Sequence, residues 1–530
     1  MSNKVIKRAT GSYYTCSSVA DYIAQWAIRS KNDTLLEPSF GDGTFLLSAI
    51  ERYSHLGENR PQIMGVELQQ EPYESFLLKG YESVNCYMTD YMDFVPPHQI
   101  SVIIGNPPYV SLKNLSSVDR TKAIKRMESY SIAMPPNGSL WMPFMIHGTE
   151  MLAKGGRLGF VLPYEITYVR YAFRLWTYLS HNYGKISIYR IHDDFFPEVD
   201  VETVLFLAEE KGAHTDYVSY CTFKNLSDLL EGKASLDEKV SIYDIITMGK
   251  PFEKKLISKT TLKLLDDMRA SGHIGKLLDE CKFKIGYVCG NKNYFHPSKQ
   301  TIAEYGLSPE SLLPCIRNAK EINSHSKIGV DMAVGIDSSH LFYPLVLDKN
   351  SRNYISHGEK TGVQNGYKCK VRKPWYLTPN IEMPDVVLTV FGDVPRLINN
   401  SGSYVVSNSL LSGKMVSTAS SKNLVCRWYN SITLLMIELN IHSLGGGTLV
   451  LIPGETDLME ILKKFPTEKE NETFEQLDTC VKTQGVEKAY ELGDEIVLQD
   501  LYGLSKSSIT EIRKSVEYLR NWRKPDNRRE

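Results

Sequence analysis

Apolar and polar positions alternate with two different rhythms along the chain. Over the first 245 residues, short strand-like apolar runs recur at 34–36, 62–66, 84–87, 101–104, 157–162, 185–191 and 203–207. Helical periods lie between most of them. Val19, Tyr22, Ile23, Trp26 and Ala27 recur at i, i+3, i+4, i+7 and i+8, behind a cap expected at Ser17 or Ser18. Further helices are expected over 45–55, over 140–153 ending at Gly155-Gly156, and over 171–182 ending at Gly184. Seven strands with interleaved helices predict a doubly wound α/β domain with a mostly parallel sheet. Ligands of such sheets bind beyond the carboxyl ends of the strands. From about residue 246 onward this rhythm is absent.

Composition narrows the class. The chain has 530 residues, 42% hydrophobic and 23% charged, which is globular and neither disordered nor fibrous. At ~150 residues per domain the length allows two to four domains. No apolar run approaches the ~18 residues of a membrane span. The first ten residues carry charge with no apolar stretch behind them, so no signal peptide is expected. Nine cysteines without a C-x-x-C pair fit a reduced cytoplasmic setting. A net charge of -1 looks indifferent to nucleic acid, but its distribution does not. Residues 1–250 carry 24 basic and 29 acidic side chains, residues 251–450 carry 24 and 16, and residues 451–500 carry 5 and 13. The acidic stretch around Glu468, Glu472 and Glu475 thus masks a basic central block, compatible either with a nucleic-acid-facing domain or with solvated helix faces.

The suggestive chemistry of the first half falls at strand ends. After the first run stands Glu37-Pro38-Ser39-Phe40-Gly41-Asp42-Gly43-Thr44-Phe45. Its two glycines permit a tight turn and close approach to a ligand, and the following helix offers free N–H groups. Glu67 ends the second run and suits a bidentate grip on ribose hydroxyls. Asp90 follows the third as an acceptor for a purine amino group. Three acids in this order describe a pocket for an adenosine-containing cofactor. Gly105-Asn106-Pro107-Pro108-Tyr109 follows the fourth run. Its prolines remove two donors and stiffen the loop. An Asn oxygen and a proline carbonyl give two acceptors for one amino group, and Tyr109 offers an aromatic face.

Asn106-Pro107-Pro108-Tyr109, with Glu37 to Phe45 upstream and residues 10–15 before the first helix, resembles the S-adenosylmethionine-dependent DNA adenine-N6 methyltransferases. The order of these motifs resembles the gamma class found in type II restriction-modification systems, in which target recognition follows catalysis. The similarity covers residues 10–210, including 156–163 and 195–199; Phe40 stands where many members carry a small residue or Cys. The resemblance implies a Rossmann-like seven-stranded methyltransferase domain over 1–245. A mixed α+β target-recognition domain with a helical tail is implied over 246–530.

Roles follow from the resemblance, position by position. S-adenosylmethionine is the implied cofactor, with no metal. Tyr14 and Thr15, with Glu37, Pro38, Gly41 and Gly43, would contact its methionine part. Glu67 would hold the ribose, Asp90 the adenine amine, and Tyr91 would flank the adenine ring. Asn106 and the Pro107 carbonyl would accept from the target amine, with Pro108 stiffening the loop. Tyr109 would stack on the target base, and Phe196 would contact it once flipped. The implied partners are double-stranded DNA and a cognate restriction endonuclease acting separately. A monomer in a prokaryotic cytoplasm, with no membrane contact, completes the expectation.

Segment 110–138 is polar and basic, with Lys113, Arg120, Lys122, Lys125 and Arg126. It is expected as a long loop, either touching DNA phosphates or simply solvated. Two stretches of the second half, 284–295 and 372–376, interleave glycines, basic residues and aromatics in a way that suits a groove-facing surface. Gly445 to Gly447 suggests a turn before a strand at 449–452. Residues 506–523 form an amphipathic pattern through Ile509, Ile512, Val516 and Leu519. N-P-P-Y also occurs in enzymes acting on release factors or ribosomal RNA, which lack so large a second half. Cytosine-N4 enzymes usually carry Ser in place of Asn106. A D…E-x-K spacing at Asp200 to Lys211 and at Asp244 to Lys255 matches a nuclease pattern formally.

Overall fold

A computed structural model describes residues 15–135, 138–192, 202–324, 328–443 and 447–524. The chain forms two compact units, one ending at Leu256 and the other spanning Ile257–Arg523.

The first unit is built on nine strands: β1 (Thr34–Glu37), β2 (Gln62–Glu67), β3 (Val84–Met88), β4 (Ile100–Gly105), β5 (Leu152–Pro163), β6 (Tyr183–Ile191), β7 (Thr203–Lys211), β8 (Tyr217–Phe223) and β9 (Leu236–Ser241). They lie in the order β3-β2-β1-β4-β5-β7-β6-β8-β9. β1 to β5 are mutually parallel, whereas β7 runs antiparallel between β5 and β6. All seven expected strands are present in an α/β sheet. The two additional strands extend one edge. β9 reads Leu-Asp-Glu-Lys-Val-Ser and is half exposed, so it offers no apolar run to detect. Leu35 and Leu36 are both fully buried, as in a strand covered on both faces. On one face Val19, Ile23 and Leu46 pack with Leu35, Ile63 and Val102. Trp176 packs near Phe206 and Phe252 at centroid distances of 6.2 Å.

Helix boundaries depart from the sequence expectation in informative ways. The helix Ser17–Ala27 is capped at Cys16, whose carbonyl accepts from Val19 and Ala20, so Ser17 and Ser18 lie inside it. The helix Trp141–Met151 is followed directly by β5. Gly155, at φ +79°, therefore sits inside a strand, close to where the register with β4 shifts between Ile100 and Val102. A bulge, rather than a helix stop, is what this glycine serves. Gly184 likewise lies within β6, and the preceding helix covers only Phe173–Ser180. Segment 110–138 is no open loop: it contains the helix Ser117–Glu128, capped by the Ser116 hydroxyl.

The second unit combines a four-stranded antiparallel sheet with a three-stranded mixed one. Helices including Ser421–Trp428, Ser431–Asn440 and Thr467–Gln484 accompany them. The helix Lys506–Arg523 buries Ile509, Ile512, Val516 and Leu519, the expected stripe. The expected strand at 449–452 forms only isolated bridges, Leu449 with Ser443 and Val450 with Phe391. Residues 444–446 lie outside the described residues. The aromatics of 284–295 are core, not groove surface. Tyr287, Tyr294 and Phe295 are buried in one cluster, against which Trp375 and Tyr376 pack. Tyr294 stacks on Tyr354 at 4.6 Å. Arg372 lies 5.0 Å from the Phe295 ring centroid and donates to the Cys289 carbonyl. Hydrophobic burial outweighs any interfacial role for these rings.

A buried ion pair secures the amino-terminal edge of the sheet. Arg157 donates to Asp33 Oδ1 at 2.7 Å, while Asp33 Oδ2 accepts the Arg29 and Ser30 N–H groups at 2.9 and 3.0 Å. Asp33→Ala would strand the guanidinium and leave the Arg29 and Ser30 N–H groups without this acceptor. We expect a loss of about 3–5 kcal/mol, measured by urea unfolding.

Candidate active site

At the carboxyl ends of β1 to β4 lies a cavity of roughly 300 Å3, lined by Thr15, Glu37, Glu67, Asp90, Tyr91 and Asn106 among others. That volume sits at the lower end for a small-molecule site. Its floor is the turn after β1. Gly41 and Gly43 adopt φ of +53° and +84°, and a Cβ at Gly43 would fall 2.3 Å from the Phe76 ring. Only glycine satisfies both the left-handed backbone and the contact at Gly43. Glu67 holds this turn in place: Oε2 accepts the Gly41 N–H at 2.9 Å and Oε1 the Gln69 N–H at 2.8 Å. Each oxygen retains a second lone pair, so the carboxylate can still accept ribose hydroxyls.

Phe40, the departure from the family pattern, has a packing role. It is buried against Phe76 and Tyr73, at centroid distances of 5.2 and 6.2 Å. Gly65 on β2 makes room for it, because a Cβ there would meet the Phe40 ring at 2.8 Å. Neither half of this pairing is visible from the linear motif.

Glu37 ends β1 and is 1% exposed. Its Oε2 has no hydrogen-bond partner among the described residues. Burial, then the negative charges of Asp42 and Glu67, push its carboxyl well above the usual range. A buried unsatisfied carboxylate is costly unless a partner arrives. The cationic methionine end of S-adenosylmethionine is chemically such a partner, so the residues present fit this cofactor.

Asp90 caps the turn Tyr91–Asp93: Oδ1 accepts the Met92 N–H at 2.9 Å, and Oδ2 pairs with Lys122 at 3.0 Å. Tyr91 is buried against Phe144 and His147, at 4.7 and 4.8 Å between centroids. The Asn106 amide donates from Nδ2 to Thr15 Oγ1 at 3.2 Å, which joins the segment before the first helix to the N-P-P-Y loop. Tyr109 donates its hydroxyl to the Val161 carbonyl at 3.0 Å, fixing the ring. Pro107 is buried and Pro108 half-buried.

The structure thus gathers Thr15, Glu37, Pro38, Gly41, Glu67, Asp90, Tyr91, Asn106 and Pro108 around one cavity, with Gly43, Pro107 and Tyr109 in the same loops. Tyr14 and Phe196 lie outside the described residues. Missed by sequence reasoning are Asn114, Leu115, Asp119 and Phe144, which also line the cavity; no local motif marks them. Asp200, which opens the first nuclease-like spacing, lies outside the described residues, and one acid of each spacing makes a structural contact. Glu209 pairs with Arg29 at 2.7 Å, and Glu253 accepts from the Tyr164 hydroxyl at 3.0 Å. Among the described residues no helix is long and apolar enough to cross a membrane.

Residues 2–245 match the family model described as N-6 DNA Methylase, and residues 249–498 the one described as Type II methyltransferase M.Eco57I, C-terminal domain. The chain is 23% identical over 418 residues to the Type II methyltransferase M.AccI of Acinetobacter calcoaceticus, covering 76% of this chain and 74% of that one. It is 22% identical over 369 residues to the Type II methyltransferase M.BstVI of Geobacillus stearothermophilus, covering 59% and 64% respectively. Among solved structures, the Type IIL restriction-modification enzyme MmeI in complex with DNA superposes with a TM-score of 0.54. Sequence identity there is 10%, over 96% of this chain and 75% of that one, which shows a shared fold.

The Glu37 environment generates a pH signature. Because its folded value is raised, the native state holds a proton that the unfolded state releases near the ordinary carboxyl value. Stability of the ligand-free protein therefore falls as pH rises from that ordinary value toward the raised one. Glu37→Gln removes this penalty. Its melting temperature should exceed the wild type's by more at pH 8 than at pH 5; a pH-independent difference would contradict the assignment.

Proposed function

We propose how this site works from one premise: the chain belongs to the N6-adenine DNA methyltransferases. It transfers a methyl group from S-adenosylmethionine to the exocyclic N6 amine of adenine at specific sites in DNA, within restriction-modification.

The target amine is paired inside the duplex, so the adenine is rotated out of the stack at a cost of a few kcal/mol. Tyr109 stacks on the extruded ring and offsets ~1–3 kcal/mol of that cost, with its hydroxyl donated to the Val161 carbonyl. By the resemblance, Phe196 is the second aromatic assigned to the flipped base. An aromatic amine is a weak nucleophile because its lone pair is delocalised. Asn106 Oδ1 and the Pro107 carbonyl accept its two hydrogens and favour the localised lone pair and developing ammonium, mainly in the transition state. The cofactor, when bound, supplies an electrophilic methyl group on a sulfonium. Thr15, Glu37, Pro38, Gly41 and Gly43, together with Tyr14, would hold its methionine end. Glu67 would hold the ribose, Asp90 the adenine amine, and Tyr91 would flank the ring. Holding the amine in one orientation is most of the remaining work these residues do. The surplus proton leaves to water, so no dedicated base and no metal is required.

The hydrogen bond from Asn106 to Thr15 carries this reading: it commits the amide nitrogen elsewhere and directs the amide oxygen as an acceptor. Residues 1–245 form the catalytic part in this reading, and residues 246–530 select the DNA sequence. The protein acts as a monomer in a prokaryotic cytoplasm, beside a separate cognate endonuclease. The test is incubation with labelled S-adenosylmethionine and unmethylated genomic DNA, followed by sequencing for modified adenine. Asn106→Ala should keep cofactor affinity and lose about 10²–10³-fold in turnover. Undiminished transfer by that variant would remove Asn106 from its role.

A further inference from the structure

We propose that Lys122 is a positioning residue of the cofactor's adenine pocket, holding the Asp90 carboxylate in place from the helix Ser117–Glu128. The inference rests on the assignment of Asp90 to the cofactor's adenine amine. It also takes Lys122 out of the pool of side chains available to DNA phosphates.

The geometry is a two-sided grip. Asp90 Oδ1 is occupied by the Met92 N–H at 2.9 Å, and Oδ2 by Lys122 Nζ at 3.0 Å, so both oxygens are fixed and the carboxylate cannot rotate. Lys122 also pairs with Asp93 at the far end of the same turn. One helical turn later, Arg126 donates to the Met92 carbonyl at 3.2 Å and pairs with Glu150. Residues four apart share a helix face, and this face clasps the turn Tyr91–Asp93. Asn114 and Leu115, just before the helix, and Asp119 in its first turn line the cavity itself. The helix therefore covers the pocket on one side and stiffens its adenine-binding carboxylate.

Charge disfavours the alternative. Lys122 already pairs with Asp90 and Asp93 together, so its charge is committed within the protein. Its two partners keep the ammonium strongly protonated. The pairs are partly exposed, with side-chain exposures of 34% for Lys122, 24% for Asp90 and 56% for Asp93. They are consequently screened by salt, and the effect of removing them is modest.

The test uses the full chain and two probes, S-adenosylhomocysteine and its deaminated inosine analogue, which lacks the amine that Asp90 would accept from. Lys122→Met should weaken S-adenosylhomocysteine about two- to fivefold, the range of an exposed ion pair, and weaken the deaminated analogue less. Discrimination between the probes therefore shrinks. Lys122→Arg should restore most of it. Asp93→Asn, which releases one anchor without touching the pocket, should shift discrimination in the same direction by less. DNA affinity and its dependence on salt should stay unchanged. Asp90→Asn is the reference and should abolish discrimination. If Asp90→Asn does so while Lys122→Met leaves both probes unaffected, the positioning role fails and the Asp90 assignment stands. If Asp90→Asn leaves discrimination intact, the assignment fails and takes the inference with it. If Lys122→Met lowers the salt slope of DNA binding by about 0.9 with the probes unaffected, Lys122 belongs to the DNA instead.

Discussion

One carboxylate organises the cofactor end of the sheet. Glu67 accepts backbone N–H groups from Gly41 and from Gln69, and so ties the turn after β1 to its own turn after β2. Charge-assisted bonds of this kind are among the stronger interactions available to a loop. The left-handed Gly41 and Gly43, the packing of Phe40 into the space at Gly65, and the start of the helix Thr44–His55 all depend on where that turn is held. The same anchor places a negative charge beside Glu37, which burial already disfavours as an anion. A pocket built this way is polarised before a ligand enters: acceptors are abundant, and the floor carries one acid with an unmet partner.

The N-P-P-Y loop solves a different problem, that of holding acceptors still. Pro107 and Pro108 have fixed φ and no N–H, so the backbone between β4 and the next segment has little freedom to rearrange. Asn106 is oriented from outside the loop by Thr15, and Tyr109 is tethered to β5 through Val161. Both tethers reach elements distant in sequence, so the loop is stiff both by its own covalent structure and by its neighbours. Preorganised acceptors are useful where the reaction needs a change of nitrogen geometry rather than a proton transfer.

The first half was largely legible because its strands are apolar runs and its ligand-facing residues sit at their ends. The nine-stranded sheet extends the expected seven by β8 and β9, and the polar residues of β9 leave no hydrophobic signal. What escaped was decided by tertiary contact. Gly155 looks like a helix stop until its neighbours are known, and the basic character of 110–138 looks like a phosphate-binding loop until Lys122 and Arg126 are seen facing Asp90, Asp93 and Glu150. Phe40 and Gly65 exchange volume across 25 positions, and neither residue alone announces it. Local sequence reports propensity and pattern; which charge meets which is a property of the fold.

The second unit shows why a surface is harder to read from sequence than a motif. Aromatic and basic residues serve equally well as core and as contact surface, and here the two uses lie within a few positions of each other. Arg372 is turned inward over Phe295, and Tyr287, Tyr294 and Phe295 are buried. Lys368, Lys370 and Lys373, interleaved with buried Cys369 and half-buried Arg372, are exposed. The basic excess of residues 251–450 therefore has two fates: one part stabilises the frame by cation–π and carbonyl contacts, and the other remains on the surface. Only the second part can respond to a polyanion. Net charge of the segment overstates its exposed cations, and aromatic content overstates its exposed rings. A catalytic motif escapes this ambiguity because its chemistry demands particular atoms at fixed spacing, whereas a binding surface demands only that suitable side chains point outward, and direction is what a linear sequence does not encode.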